Sequence, residues 1–199
     1  MPTQAERRAA TRGAIVRAAR SLFGRHGFQA TSIDDVAARA GVSKGAVYHH
    51  VEAKEALFRL VLESVLADLA DQILEASLQV DDPLERIKAG CHELLHACRQ
   101  PAIRQVYLVD GPSVLGWKPW RDLDLEHFLG LLHRGLEDAV RHGVMAPQPV
   151  EPLARILGAA VTEAALMASH TSSTNELERS AAALDAVLDS LRVTPDGHA

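Results

Sequence analysis

The chain has 199 residues, 47% of them hydrophobic and 24% charged, with a formal net charge of −5. That is enough to bury a real core, and it fits one globular domain or a small domain joined to a larger one. No run of about 18 uninterrupted apolar residues occurs, as a membrane-spanning helix requires, and the start of the chain leads into no apolar leader segment, so the expected location is cytoplasmic.

Taken in chain order, apolar residues recur at helical spacing almost throughout. A first helix is expected over about Gln4 to His26, with Ile15, Ala18, Ala19, Leu22 and Phe23 on one face and Gly27 as its stop. A second begins at Ser32, where Asp35 three residues on completes a capping-box pattern. It carries Ile33, Val36, Ala37 and Ala40 and ends at Gly41 after about two turns. Ser43 caps a third short helix through His49 or His50. A long fourth runs from about Ala53 to Gln79, and Asp82 and Pro83 supply the N-cap and first residue of a fifth that reaches about Arg99. Pro101 opens a sixth. Gln105 to Val109 is the one stretch with an alternating pattern, and Asp110 to Pro119 reads as a broken connection. Trp120 to His142 forms a seventh helix closed by Gly143. Pro147, Pro149 and Pro152 mark a rigid linker. Two last helices are expected near Glu151 to Ser169 and Asn175 to Leu191, flanking a polar turn from His170 to Thr174. The tail 194–199 is expected to be disordered.

The fold class is therefore all-α, with about nine helices. The division expected is a three-helix domain over 1–52 and a helical domain over 53–193. The charge divides the same way. Residues 1–60 carry ten Lys and Arg against five Asp and Glu, a balance of +5, while residues 61–199 carry eleven against twenty-one, a balance of −10. A basic first part and an acidic remainder suit a protein that offers only one surface to a polyanion.

Residues 31 to 57 are the informative stretch. Two short amphipathic helices joined by a glycine turn make a helix-turn-helix, whose second helix enters the major groove of DNA while the first crosses the backbone. Val36, Ala37, Val42 and Val47 pack the pair, leaving Lys44, Gly45, Tyr48 and His49 outward. Thr31 and Ser32 sit at a helix N-terminus, where free amides and the helix dipole favour a phosphate. Lys54, at the start of the fourth helix, is placed to hold the same backbone.

The string Ile15, Ala18, Ala19, Leu22, Phe23, Gly27, Thr31, Ile33, Val36, Ala37, Ala40, Gly41, Val42, Ser43, Gly45, Tyr48, His50, Lys54 and Leu57 closely resembles the signature of the TetR/AcrR family of transcriptional regulators. Val51 stands where that family commonly has Phe. The resemblance covers roughly the first sixty residues. It implies a DNA-binding regulator, a repressor by family default, that binds a palindromic operator as a homodimer and is released by a small apolar effector. It implies phosphate contacts at Thr31, Ser32, Tyr48, His49 and Lys54, with Lys44, Gly45 and Ala46 approaching base edges and Ser43 also among the DNA-binding residues. Lys44 would read guanine O6 or N7, and the Ala46 methyl a thymine methyl. Arg7, Arg8 and Arg12 are candidates for an arm along the DNA. By the same resemblance the last two helices form a dimer's four-helix bundle, for which Leu153, Ile156, Leu157, Ala160, Val161, Leu184, Val187, Leu188 and Leu191 have the spacing. A monomer core would show the same stripes.

For the effector, Tyr107, Trp117, Trp120 and Phe128, with Glu163 and Met167, make the mixture of apolar and few polar groups that pockets use. Plain core packing is the alternative at each. A competing motif, His92-Glu93-Leu94-Leu95-His96, matches the H-E-x-x-H helix of metalloproteases. No third ligand follows in a zincin pattern, so the alternative it carries is a metal-binding helical protein using His92 and His96 with Cys91 or His127. Cys91 and Cys98 lie about 10 Å apart along one helix, too far for a disulfide, and read as buried free thiols, with a redox sensor as the alternative. No nucleophile elbow, phosphate loop or dinucleotide fingerprint appears, so neither an enzyme nor a cofactor is expected.

Overall fold

The computed structural model describes residues 3–170 and 174–193. The helices are α1 (Gln4–Ala30), α2 (Ile33–Ala40), α3 (Lys44–His50), α4 (Lys54–Leu78), α5 (Pro83–Ala97), α6 (Pro101–Arg104), a π-helical segment (Gln105–Asp110), α7 (Gly111–Leu115), α8 (Trp117–Arg141), α9 (Val150–His170) and α10 (Thr174–Ser190). Taking the three contiguous segments from Pro101 to Leu115 as one distorted helix, the described residues hold nine. The polar turn expected after His170 and the tail from Thr194 fall outside them.

The local signals act as their chemistry requires. Thr3 and Glu6 form a capping box at α1, and Ser32 and Asp35 form one at α2. At two turns α2 is too short to persist alone. Reciprocal capping and the burial of Ile33, Val36 and Ala37 hold it. Gly41 closes α2 at φ 70°, and Gly27 interrupts α1 at φ 79°, left-handed conformations in which a side chain costs about 1–2 kcal/mol. Asp82 accepts from the amides of Leu84 and Glu85 to open α5.

Three sequence expectations are corrected. Gln105 to Val109 is helical in the π register, not extended, with Val106, Tyr107 and Leu108 all buried. The break expected over Asp110 to Pro119 shrinks to Gly116, at φ 82°. Pro119 lies in the first turn of α8, where the missing N–H has no helical partner to lose. Pro152 likewise lies in the first turn of α9, which begins at Val150.

The described residues form two compact units, those up to 66 with 100–121, and 67–99 with those from 122 onward. The segment from Gln100 to Arg121 thus packs with the N-terminal helices. In the first unit Phe23, Phe28 and Phe58 cluster with ring centroids 5.4–5.7 Å apart, around buried Ile15, Ala19, Val36, Val47 and Leu57. Burying each ring contributes about 1.5–3 kcal/mol. In the second unit Leu84, Leu95, Leu136, Ala154, Leu157, Leu184 and Leu188 form the core. Arg192 spans Asp82, at 2.8 and 2.9 Å, and Glu85, at 3.2 Å. Lys88 reaches Asp189 at 2.6 Å.

Candidate nucleic-acid interface

The reader helix α3 is fixed from behind. Val47 is wholly buried, the Ser43 hydroxyl accepts from the Ala46 amide at 3.1 Å, and α3 ends where the Val51 amide donates to the Val47 carbonyl. Helical spacing then leaves Lys44, Gly45, Tyr48 and His49 exposed and Ala46 half-buried. Tyr48 keeps 47% of its surface in solvent. Gly45 has ordinary helical geometry, and a Cβ built there would meet nothing nearer than the Ser43 hydroxyl at 4.0 Å. The fold itself therefore gives no reason for glycine at this position.

Lys44 pairs with Asp34 at 2.8 Å, with both side chains more than half exposed. That hydrogen bond, with the attraction of the carboxylate, pushes the ammonium pKa up. Sequence reasoning missed Asp34 because the pair joins two helices across ten residues. Lys54 places its ammonium 4.1 Å from the Phe28 ring centroid, a cation–π contact that holds the start of α4 beside the end of α1.

Ser32 spends its hydroxyl on Asp35, at 2.6 Å, while its oxygen accepts from the Asp35 amide. Thr31 differs from expectation. It is buried, and its hydroxyl donates to the Gly27 carbonyl at 2.9 Å, so its side chain is turned into the protein and holds the α1–α2 corner. Arg7, Arg8 and Arg12 are exposed on α1 itself instead of on a loose arm. Burial, helped by the fields of His49, Arg8 and Arg12, pushes the His50 pKa down.

The expected pocket residues fall in both units. Tyr107 and Trp120 are fully buried in the first unit, with ring centroids 5.9 Å apart, and the Trp120 indole donates to the Tyr107 carbonyl at 2.8 Å. Trp117 meets Trp120 at a tilt of 49°, with ring centroids 4.9 Å apart, but is 61% exposed. In the second unit Phe128 is half-buried, whereas Glu163 and Met167 face solvent. Tyr107 and Trp120 are packed as core residues, while Glu163 and Met167 lie on the open side of α9.

The metal alternative finds no support. Among the described residues no group of three His, Cys, Asp or Glu is placed to hold an ion. His92 contacts Asp185 at 2.8 Å. Cys91 and Cys98 are buried, which pushes both thiols up to about 12.

The model of bacterial regulatory proteins of the tetR family matches residues 15–61, and that of the tetracyclin repressor-like C-terminal domain matches residues 84–191. The chain is 30% identical to a crystallised TetR-family transcriptional regulator from Pectobacterium atrosepticum, with a TM-score of 0.86 over 98% of this chain and 100% of that one. It is 29% identical over 151 residues to an uncharacterised HTH-type transcriptional regulator, YfiR, of Bacillus subtilis, covering 71% of this chain and 70% of the relative. Over 153 residues it is 27% identical to the A-factor receptor protein of Streptomyces griseus, of whose length the match spans 51%.

Proposed function

The chain belongs to the TetR family of bacterial regulatory proteins, and from that membership we propose that this transcriptional regulator reads a palindromic operator with α2 and α3. The observation that carries the assignment is the outward face of α3, where exposed Tyr48 and Lys44 flank a glycine that the fold does not need. An absent side chain lets the helix approach base edges closely, with Lys44 and the Ala46 methyl at the groove floor. Tyr48, His49, Lys54 and the α2 N-terminus with Ser32 then take the phosphates. Arg8 and Arg12 extend the cationic field.

Homodimerisation through α9 and α10 is the second part of the proposal. Ile156 and Val187 are 66% and 49% exposed on those helices, large apolar side chains whose burial a partner copy would reward. The third part is repression relieved by a small apolar effector in the C-terminal domain. A coupling of about 1–3 kcal/mol would weaken operator binding roughly 5- to 150-fold.

The test is binding of the purified protein to labelled DNA from its own upstream region, and to a randomised pool, titrated with salt and repeated with Tyr48→Ala. Saturable binding that weakens with salt and falls by tenfold or more in the variant is expected. A protein that selects no sequence from the pool refutes the assignment.

A further inference from the structure

Between Pro101 and Leu115 the helix of the first unit carries one residue too many, and two side chains explain why. In the π register each carbonyl is paired with the amide five residues on. Pro112 has no N–H to give to Tyr107. The Tyr107 carbonyl instead accepts from the Trp120 indole at 2.8 Å, while the same ring lies against Gly111, where a Cβ would sit 2.6 Å from Trp120 Cδ1. Pro112 and Trp120 thus hold the register, and the register sets the direction of Asp110, its last residue. A continuous α-helix without the extra residue would turn Asp110 by about 100°.

Asp110 is buried, and its Oδ2 accepts from the Phe28 amide at 2.8 Å. That amide needs an outside acceptor because α1 is interrupted at Gly27. The turn that follows is closed at its other end by Thr31, whose hydroxyl and amide reach back to Gly27 and Phe28. Ser32, the N-cap of α2, comes next. The approach has no slack, since a Cβ on Gly24 would lie 2.8 Å from the Ala102 methyl. Burying a carboxylate is costly without hydrogen bonds, and what this one secures is a corner of the reader head.

We propose that Asp110 is a positioning residue for DNA recognition, fixing Phe28 to Ser32 so that the N-terminus of α2 meets its phosphate, and that the π register held by Pro112 and Trp120 aims it. This rests on the reading of α2 and α3 as the DNA interface. Displacement of Trp120 from Gly111 would release Asp110, and with it the grip of α2 on the phosphate.

The experiment compares the full-length protein with Asp110→Ala, Asp110→Asn and Trp120→Phe in two measurements. The first is amide hydrogen exchange over residues 28–35 without DNA. Asp110→Ala and Trp120→Phe should lose protection there by at least tenfold, while Asp110→Asn, which keeps an acceptor oxygen, retains it. The second is operator affinity, read with Ser32→Ala alone and combined with Asp110→Ala. Asp110→Ala should bind about tenfold more weakly and lose little more when Ser32→Ala is added, since both act on the same phosphate contact, whereas Asp110→Asn restores affinity. A general loss of stability would instead add to the effect of Ser32→Ala. Unchanged exchange in both Asp110→Ala and Trp120→Phe overturns the proposal, as does a loss in Asp110→Ala that adds in full to that of Ser32→Ala. If exchange responds as expected but the wild-type protein binds no DNA, the interface assignment fails and the functional half of the proposal falls with it.

Discussion

Gly45→Ala should make the protein more stable and a poorer DNA binder at once. Alanine is favoured over glycine by up to about 1 kcal/mol inside a helix, and Gly45 is the second residue of α3, so about half of that applies. Nothing in the fold opposes the methyl, because the nearest atom is 4.0 Å away and the backbone is already helical. For a protein of this size the gain corresponds to a rise in Tm of about 1–2 °C. In the complex the same methyl would enter a packed interface, where excess volume costs about 1–3 kcal/mol, or roughly 5- to 150-fold in affinity. Thermal unfolding followed by circular dichroism measures the first effect, and fluorescence anisotropy on operator DNA the second. A raised Tm with wild-type affinity would remove Gly45 from the DNA face, and a lowered Tm would contradict the open surroundings of α3.

Ile156→Glu should shift the protein from dimer to monomer in sedimentation with little loss of helicity, because the side chain is 66% exposed in the single chain; an unchanged dimer would place the interface elsewhere. Cys91 and Cys98, buried with thiols pushed up to about 12, should react with a thiol reagent at neutral pH only after denaturation, and fast labelling of the native protein would contradict their burial. Arg192 holds the Asp82 carboxyl far below its ordinary 3.8. Because the folded-state value is depressed, the stabilisation is fully present above about pH 4 and is lost as pH falls further. With both side chains about one-third exposed, Arg192→Ala should cost only about 1 kcal/mol at pH 7 and the gap should narrow toward pH 3; a gap that widens on acidification would be wrong in sign.

What the sequence determined by itself is what depends on neighbours a few residues away. Ser32 with Asp35, the Gly41 stop, Asp82 before Pro83 and the Ser43 cap all act within one turn, so residue type and spacing decide them. The all-α class and the face that α3 turns outward follow from the 3.6-residue period, which put Val47 inside and Tyr48 outside. The tertiary structure alone decided what rests on distant partners. The hydroxyl of Thr31 looked free at a helix start, but the Gly27 interruption turns it inward. Glu163 and Met167 share a helix with core residues, and only the packing of α9 leaves them on its open side. Asp110 and Phe28 are separated by 82 residues, and the π register that joins them needs a proline without an N–H and an indole eight positions further on. No local propensity encodes that arrangement, because each member is ordinary until the fold brings the others to it.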